Sequence, residues 1–389
     1  MRRRKARDSQ AVGVELVACM LKNVQALRAI AAMLVILDHV SYELFKSDPG
    51  GRTLLDGFRY IGQFGVDLFF VISGFIMVTT SWNAFGRPGV SRTFVLRRLA
   101  RIYPPYWIVL SPIVLAYALA AHQFLHRVEG QADIFASIAL LPSSHPRLLD
   151  ISWTLTYELS FYGVFAVVLT ARRSLLLPLL GCWVVLQLIA MWLWHGSGNP
   201  YLSFLGTPLP LEFIMGACVG YFYRSGKMPS FAFTGVAGIV AATLVWIASA
   251  LPEISMIDLS KRDIVRILQF GIPAACIIYG AVGWEVRRAS FAPPWLVGLG
   301  DASYSMYLWH VPVSLVLGAL FARAHVHGIV GNTFAQAITI AVILGVSVSA
   351  YRFFERPITT WLNALIGVAH APVGENGRRP VAAASIRGE

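Results

Sequence analysis

An arginine and a histidine on one apolar run, Gln25-Ala-Leu-Arg28-Ala-Ile-Ala-Ala-Met-Leu-Val-Ile-Leu-Asp38-His39-Val40, are the first residues in this chain whose types and spacing suit chemistry. Eleven residues at 100° each make about three helical turns, so both side chains leave one helix face about 16 Å apart along the axis. An ionisable group inside such an apolar segment is costly, and its default reading is a substrate or proton site. A histidine bonded to a neighbouring helix for packing alone is the plainer alternative. Glu158, in Ser152-Trp-Thr-Leu-Thr-Tyr157-Glu158-Leu-Ser-Phe-Tyr162, is a second titratable group within an apolar run. A carboxylate beside an imidazole fixes its tautomer and stabilises the imidazolium, which is what general-base catalysis requires. A buried structural ion pair of the same two residues competes with that reading.

Other residues suit binding. Arg97 or Arg98 stands three or four positions from Arg101 in Arg97-Arg98-Leu-Ala-Arg101-Ile-Tyr-Pro104. On a helical turn this spacing presents adjacent guanidinium groups, which suit a polyphosphate or, more plainly, anionic lipid. Arg28 emerges on the same side. Asp67, in Gly65-Val-Asp-Leu-Phe-Phe-Val-Ile-Ser73-Gly74-Phe75, either binds a polar partner or caps a helix start, while Gly65 and Gly74 suit close helix packing. Tyr304, Tyr307 and His310, in Ser303-Tyr-Ser-Met-Tyr-Leu-Trp-His310, mix hydroxyls and aromatic planes that could line a sugar-binding cavity or form an interfacial belt. Glu355 is expected to pair with neighbouring arginines at the close of the last helix.

The elements that must position these residues follow from composition. Of 389 residues 57% are hydrophobic and 13% charged, which excludes a sizeable soluble domain and indicates an all-α integral membrane protein. Ten apolar runs of spanning length cover 26–45, 61–82, 103–121, 152–171, 174–194, 208–223, 231–251, 264–283, 296–321 and 331–351. With both termini cytoplasmic, 22 of the 32 Lys and Arg fall in inside segments and 8 in outside ones. The net charge of +12 therefore reads as topology, not as nucleic-acid binding. Cys19, Cys182, Cys218 and Cys276 show no metal-ligand or disulfide spacing, and no metal is expected. Residues 1–22 read as a basic cytoplasmic tail, with Met20 an equally good start, 23–357 as the membrane domain, and 358–389 as a disordered cytoplasmic tail.

Taken together and in order, the Arg28-to-His39 spacing, the Gly65–Phe75 run, the Arg97–Pro104 run, Ser152-Trp with Glu158 and Tyr162, Ser303–His310 and Glu355-Arg-Pro357 resemble membrane-bound acyltransferase family 3. The openings Val24–Arg28 and Ser152–Glu158 are similar to its exopolysaccharide-modifying branch. The resemblance implies transfer of an acyl group, usually acetyl from acetyl-CoA, to a glycan hydroxyl across a bacterial inner membrane. With it, Arg28, Arg98 and Arg101 are expected to hold the CoA phosphates and His39, oriented by Glu158, to act as the base, while Asp67, Tyr304, Tyr307 and His310 are expected from their own residue types to bind the acceptor. A transient acyl-enzyme remains open, as do the acyl group and the oligomeric state. A transporter or glycan flippase would also place charges within a bundle, but pseudo-symmetric halves with broken helices are not evident.

Overall fold

One helix, α1 (Lys22–Ser47), packs against five others, and the computed structural model describes residues 21–47, 52–55, 62–120, 132–228, 232–250 and 264–369 around it. The following helices are α2 (Gly62–Ser81), α3 (Val90–Ala120), the short α4 (Ile134–Ala139), α5 (Trp153–Val168), α6 (Leu176–Trp194), α7 (Pro200–Leu205), α8 (Pro210–Arg224) and α9 (Ala232–Ala250). Next, α10 comprises Ile264–Arg266, a π-helical turn Ile267–Gly271 and Ile272–Arg287. The chain continues with α11 (Pro294–Asp301), α12 (Ser303–Arg323), α13 (Gly328–Ala350), a second π-helical turn Tyr351–Glu355, and α14 (Arg356–Ala369). No strand occurs among the described residues. Long apolar segments leave the backbone no partner but itself in a bilayer, and helices satisfy every such group internally.

Each of the ten apolar runs coincides with a helix. Among the described residues nine helices are long and apolar enough to cross a membrane, and the remaining run, α9, offers a shorter apolar stretch, Phe233–Ile247. Three boundaries differ from expectation. Instead of beginning at residue 103, α3 runs unbroken from Val90, so the arginine run belongs to the same rigid rod as Pro104, Pro105 and Pro112. The carbonyl of Ile108, which Pro112 cannot pair, accepts from Ser111 Oγ at 3.3 Å. The run 296–321 divides at Ala302 into α11 and α12. Finally, residues 358–369 are helical, as part of α14, so the expected tail begins no earlier than residue 370. Residues 370–389, the basic segment 1–20 and the alternative start at Met20 lie outside the described residues.

The start of α1 is fixed by its neighbours. Glu285 of α10 accepts from the backbone amides of Lys22 and Asn23 at 2.9 and 2.8 Å, a carboxylate at the positive end of a helix. Asn23 donates to Ala281 O at 3.0 Å, and its carbonyl accepts from Ser290 Oγ and Phe291 N. Against α8, α2 packs at backbone contact: a Cβ on Gly74 would stand 2.0 Å from Phe213 O, and one on Gly216 would stand 1.8 Å from Val71 O. Small residues give this close approach, the role expected for Gly74.

Asp67 lies in this packed layer and not in a cavity. Its carboxylate accepts from Arg266 Nε and Nη2 at 2.8 and 2.9 Å in a two-pronged ion pair between α2 and α10, and Asp67 is fully buried. Glu212 of α8 is buried beside them, where Gly271 of the π-helical turn leaves room for its side chain. The polar partner that the structure gives Asp67 is Arg266, on a helix of its own fold. Removing one member of such a pair strands a buried charge, at a cost of about 3–5 kcal/mol. Arg266→Leu is expected to lower the thermal unfolding midpoint sharply in detergent, and Asp67→Leu/Arg266→Leu to recover much of the loss. A double variant no more stable than Arg266→Leu would show that the two residues act independently.

Candidate active site

Two adjacent spaces with lining residues in common lie along α1 at its arginine end. The outer one, a vestibule of about 670 Å³, is lined by Gln25, Arg87, Arg97, Asp301, Glu355 and Arg356 among others. The inner one, about 80 Å³, is lined by Ser73, Thr154, Glu158, Tyr162, Tyr304 and Tyr307 together with apolar residues. Arg28, Arg98 and Arg101 border both, so they form the neck between them. The three arginines expected together from α1 and α3 are indeed together.

Each is held in place by its surroundings. Arg28 is buried and donates to Gln25 Oε1 at 2.8 Å, while Gln25 Nε2 donates to Asp301 Oδ1. The chain of contacts from α11 through Gln25 fixes the guanidinium against α1. Arg98 lies 5.3 Å from the ring centroids of both Phe94 and Tyr162 and reaches Thr80 Oγ1 at 3.4 Å. Arg98 and Arg101 border both spaces, whereas Arg97, on the same continuous α3, lines only the vestibule. Six arginines line the two spaces against three carboxylates, Glu158, Asp301 and Glu355. That excess of guanidinium groups in a recess suits a ligand with several phosphates.

Glu158 belongs to this arginine-lined chamber. Its Oε1 accepts from Tyr162 Oη and, at 3.4 Å, from Ser73 Oγ. The expected contact with His39 is not made, and helix register explains why. Thr154 of α5 is hydrogen-bonded to Tyr307 of α12 at 2.7 Å, which sets the two helices level at that point. From there Glu158 lies one turn toward the arginine end and His310 nearly one turn the other way, a separation of about 10 Å along the axes. His39 is at the level of His310: their rings meet edge to face at 4.9 Å and 76°.

A backbone carbonyl takes over the part expected of Glu158. His39 Nδ1 is 2.9 Å from Val35 O, and a carbonyl can only accept, so Nδ1 of the neutral ring carries the hydrogen and Nε2 keeps its lone pair. Asp38 Oδ2 stands 3.9 Å from the same nitrogen. His39 is 35% exposed, which leaves its ring reachable. His310 has the same tautomer, with Nδ1 2.6 Å from Tyr307 O, and its Nε2 is buried without a hydrogen-bond partner among the described residues.

Tyr307 stands between the histidine pair and the inner chamber. It borders the chamber, its hydroxyl donates to Ile151 O at 2.8 Å, and its ring lies 5.6 Å from His310 and 6.2 Å from Phe69. Tyr304 borders the chamber too, and its hydroxyl donates to Ile102 O at 2.8 Å. Both phenol hydrogens are committed to backbone carbonyls. What the tyrosines offer a ligand is ring surface.

Several site residues carried no role in the sequence reading. Ser73, Tyr162 and Thr154 were read only as parts of motifs, and Glu355 as a partner of adjacent arginines. Instead Glu355 is buried and accepts from Ser305 Oγ at 2.5 Å. The π-helical turn Tyr351–Glu355 shifts its register toward α12, and no local sequence pattern announces such a turn. Among the described residues no three His, Cys, Asp or Glu side chains come together in a way that could hold a metal ion.

Known proteins share this organisation at the level of sequence. An acyltransferase domain family matches residues 21–352. The chain is 30% identical over 309 residues to the exopolysaccharide production protein ExoZ of Rhizobium meliloti (strain 1021), which spans 77% of this chain and 90% of that one. It is 21% identical over 365 residues to the peptidoglycan O-acetyltransferase OatA of Listeria monocytogenes serovar 1/2a, covering 86% of this chain but 55% of that protein. No solved structure matches. With its family match running from the start of α1 to the end of the last apolar span, the chain belongs to the acyltransferase-3 family and is a multi-pass membrane acyltransferase.

Proposed function

We propose that this protein transfers an acetyl group from acetyl-CoA to a hydroxyl of an exopolysaccharide or another envelope glycan, in a bacterial inner membrane with the arginine end facing the cytoplasm. One observation carries the reading: α1 holds an arginine-ringed polyanion cavity at one end and a tautomer-fixed histidine three turns away. The relatives named above act on exopolysaccharide production and on peptidoglycan, which supports a glycan acceptor.

In this reading the CoA phosphates rest in the vestibule against Arg28, Arg98 and Arg101, and the thin pantetheine arm passes the neck. The thioester has about three helical turns to cover before it meets His39. His39 Nε2 takes the proton of the acceptor hydroxyl, the oxygen attacks the thioester carbonyl, the carbon–sulfur bond breaks, and the CoA thiolate recovers a proton. His310, pressed against His39 with its own Nε2 lone pair, shares the acceptor-side pocket. Tyr307 and Phe69 hold water away from the thioester until the acceptor arrives. Glu158 is a positioning residue of the donor chamber: with Tyr162 it keeps the guanidinium groups of Arg98 and Arg101 in place.

The two ends of α1 then separate in kinetics. His39→Ala is expected to abolish transfer while CoA binding survives, since a general base contributes about 10² to 10⁴ in rate. Arg101→Ala is expected to weaken CoA binding by about 1.5–3 kcal/mol through loss of a charge-assisted phosphate contact, with activity partly restored at high acetyl-CoA. Calorimetric CoA titration and turnover assays on folded variants check both, and full turnover in His39→Ala would remove the base from the scheme.

Glu158→Gln gives a sharper test of where that carboxylate acts. In the donor chamber it competes with phosphate for the arginines, so its neutral replacement is expected to change the CoA dissociation constant and the acetyl-CoA KM. A carboxylate that oriented His39 would instead lower kcat alone.

A further inference from the structure

A second arginine-rich groove lies at the same end of the bundle, next to the vestibule, and the transfer reaction has no use for it. Its walls are the turn after α2 with Trp82 and Arg87, the turn before α6 with Arg172 and Arg173, and the end of α8 with Tyr221 and Arg224. The groove encloses about 970 Å³, and no aspartate or glutamate lines it.

Its charges lack counterions. None of the four arginines makes an ion pair with a carboxylate among the described residues, and Arg224 Nε is buried with no hydrogen-bond partner. The guanidinium groups of Arg173 and Arg224 lie 4.7 and 5.9 Å from the Trp82 ring centroid, and Tyr221 meets that ring edge-on at 5.8 Å. The tryptophan thus gathers two like charges at one ring, and their repulsion favours an anion in the groove. An unpaired buried donor carries a further cost of about 1–3 kcal/mol that an acceptor oxygen removes.

The surroundings indicate where that anion comes from. Leu175 and Phe222 flank the arginines on the outer surface, 47% and 38% exposed. From Leu175 the chain enters α6, whose Val185, Leu186, Ile189 and Leu193 are also exposed. Phosphate in this groove therefore has an apolar, bilayer-facing wall directly beneath it, a setting made for acyl chains and not for a free nucleotide.

We propose that this groove binds the phosphate of an anionic phospholipid headgroup, with Arg172, Arg173 and Arg224 on the phosphate and Trp82 at the level of the glycerol. Bound lipid offsets part of the groove's positive charge and ties the α2–α3 turn, which carries Arg87 into the vestibule wall, to the start of α6 and the end of α8.

The test is native mass spectrometry of the full chain released from detergent with added phosphatidylglycerol or phosphatidylcholine. Wild-type protein is expected to retain phosphatidylglycerol in preference to phosphatidylcholine. Arg172→Gln/Arg173→Gln, at exposed positions that do not threaten folding, is expected to weaken that retention about thirtyfold. The buried Arg224→Gln is expected to weaken it as well, and CoA titration of the exposed double variant is expected to match wild type. Equal retention of the two lipids, or unchanged phosphatidylglycerol retention in both variants, would overturn the proposal. Displacement of the lipid by CoA or by inorganic phosphate at millimolar concentration would overturn it too, by giving the groove to a soluble phosphate.

Discussion

Like charges held together in a poorly solvated place are the constraint on which this structure depends. Arg28, Arg98 and Arg101 meet at one neck, and a low-dielectric setting amplifies their repulsion. The fold answers with fixed partners, not with neutralisation. Gln25 and Asp301 hold Arg28, the rings of Phe94 and Tyr162 lie against Arg98, and Glu158 faces the neck from α5. Carboxylates remain fewer than guanidinium groups, so the site waits for an anion. Elsewhere a buried charge has its counterion within the fold: Asp67 and Arg266, deep between α2 and α10, pair with each other.

The register of α1 turns that constraint into an arrangement for group transfer. Because Arg28 and His39 share a face three turns apart, the proposed function has an anionic donor held at one end reach along the helix to the other. The helices around α1 keep the levels distinct. Thr154 and Tyr307 mark the boundary, with Glu158 and Tyr304 on the arginine side and His39 with His310 beyond it. Separating the levels protects the histidine lone pair from the arginine field and lets donor and acceptor approach from different directions.

Much of this was legible in the sequence. Apolar run length located every long helix, since a bilayer permits few other structures, and the spacing of Arg28, His39, Arg98 and Arg101 follows from helix geometry alone. What failed was relative depth. Glu158 was paired with His39 as a carboxylate beside an imidazole, whereas the Thr154–Tyr307 contact leaves it on the arginine side of the histidines. The partner of Asp67 is 199 residues away in sequence, beside a π-helical turn, and no local pattern joins them. A second turn of the same kind brings Glu355 against Ser305 of α12, a contact that no local pattern announces. Single-helix properties were readable, and the offsets between helices were not.

The central claim is that the arginine neck holds the acyl donor while its thioester points toward His39. A cryo-electron microscopy structure in nanodiscs with a non-transferable thioether analogue of acetyl-CoA tests this most directly. The account predicts phosphate density against Arg28, Arg98 and Arg101 in the vestibule, with the pantetheine arm crossing the inner chamber past Tyr307 so that the acyl carbon lies within reach of His39 Nε2. Phosphate density away from the neck, or an acyl group ending on the arginine side with Tyr307 closed over the histidines, would contradict it.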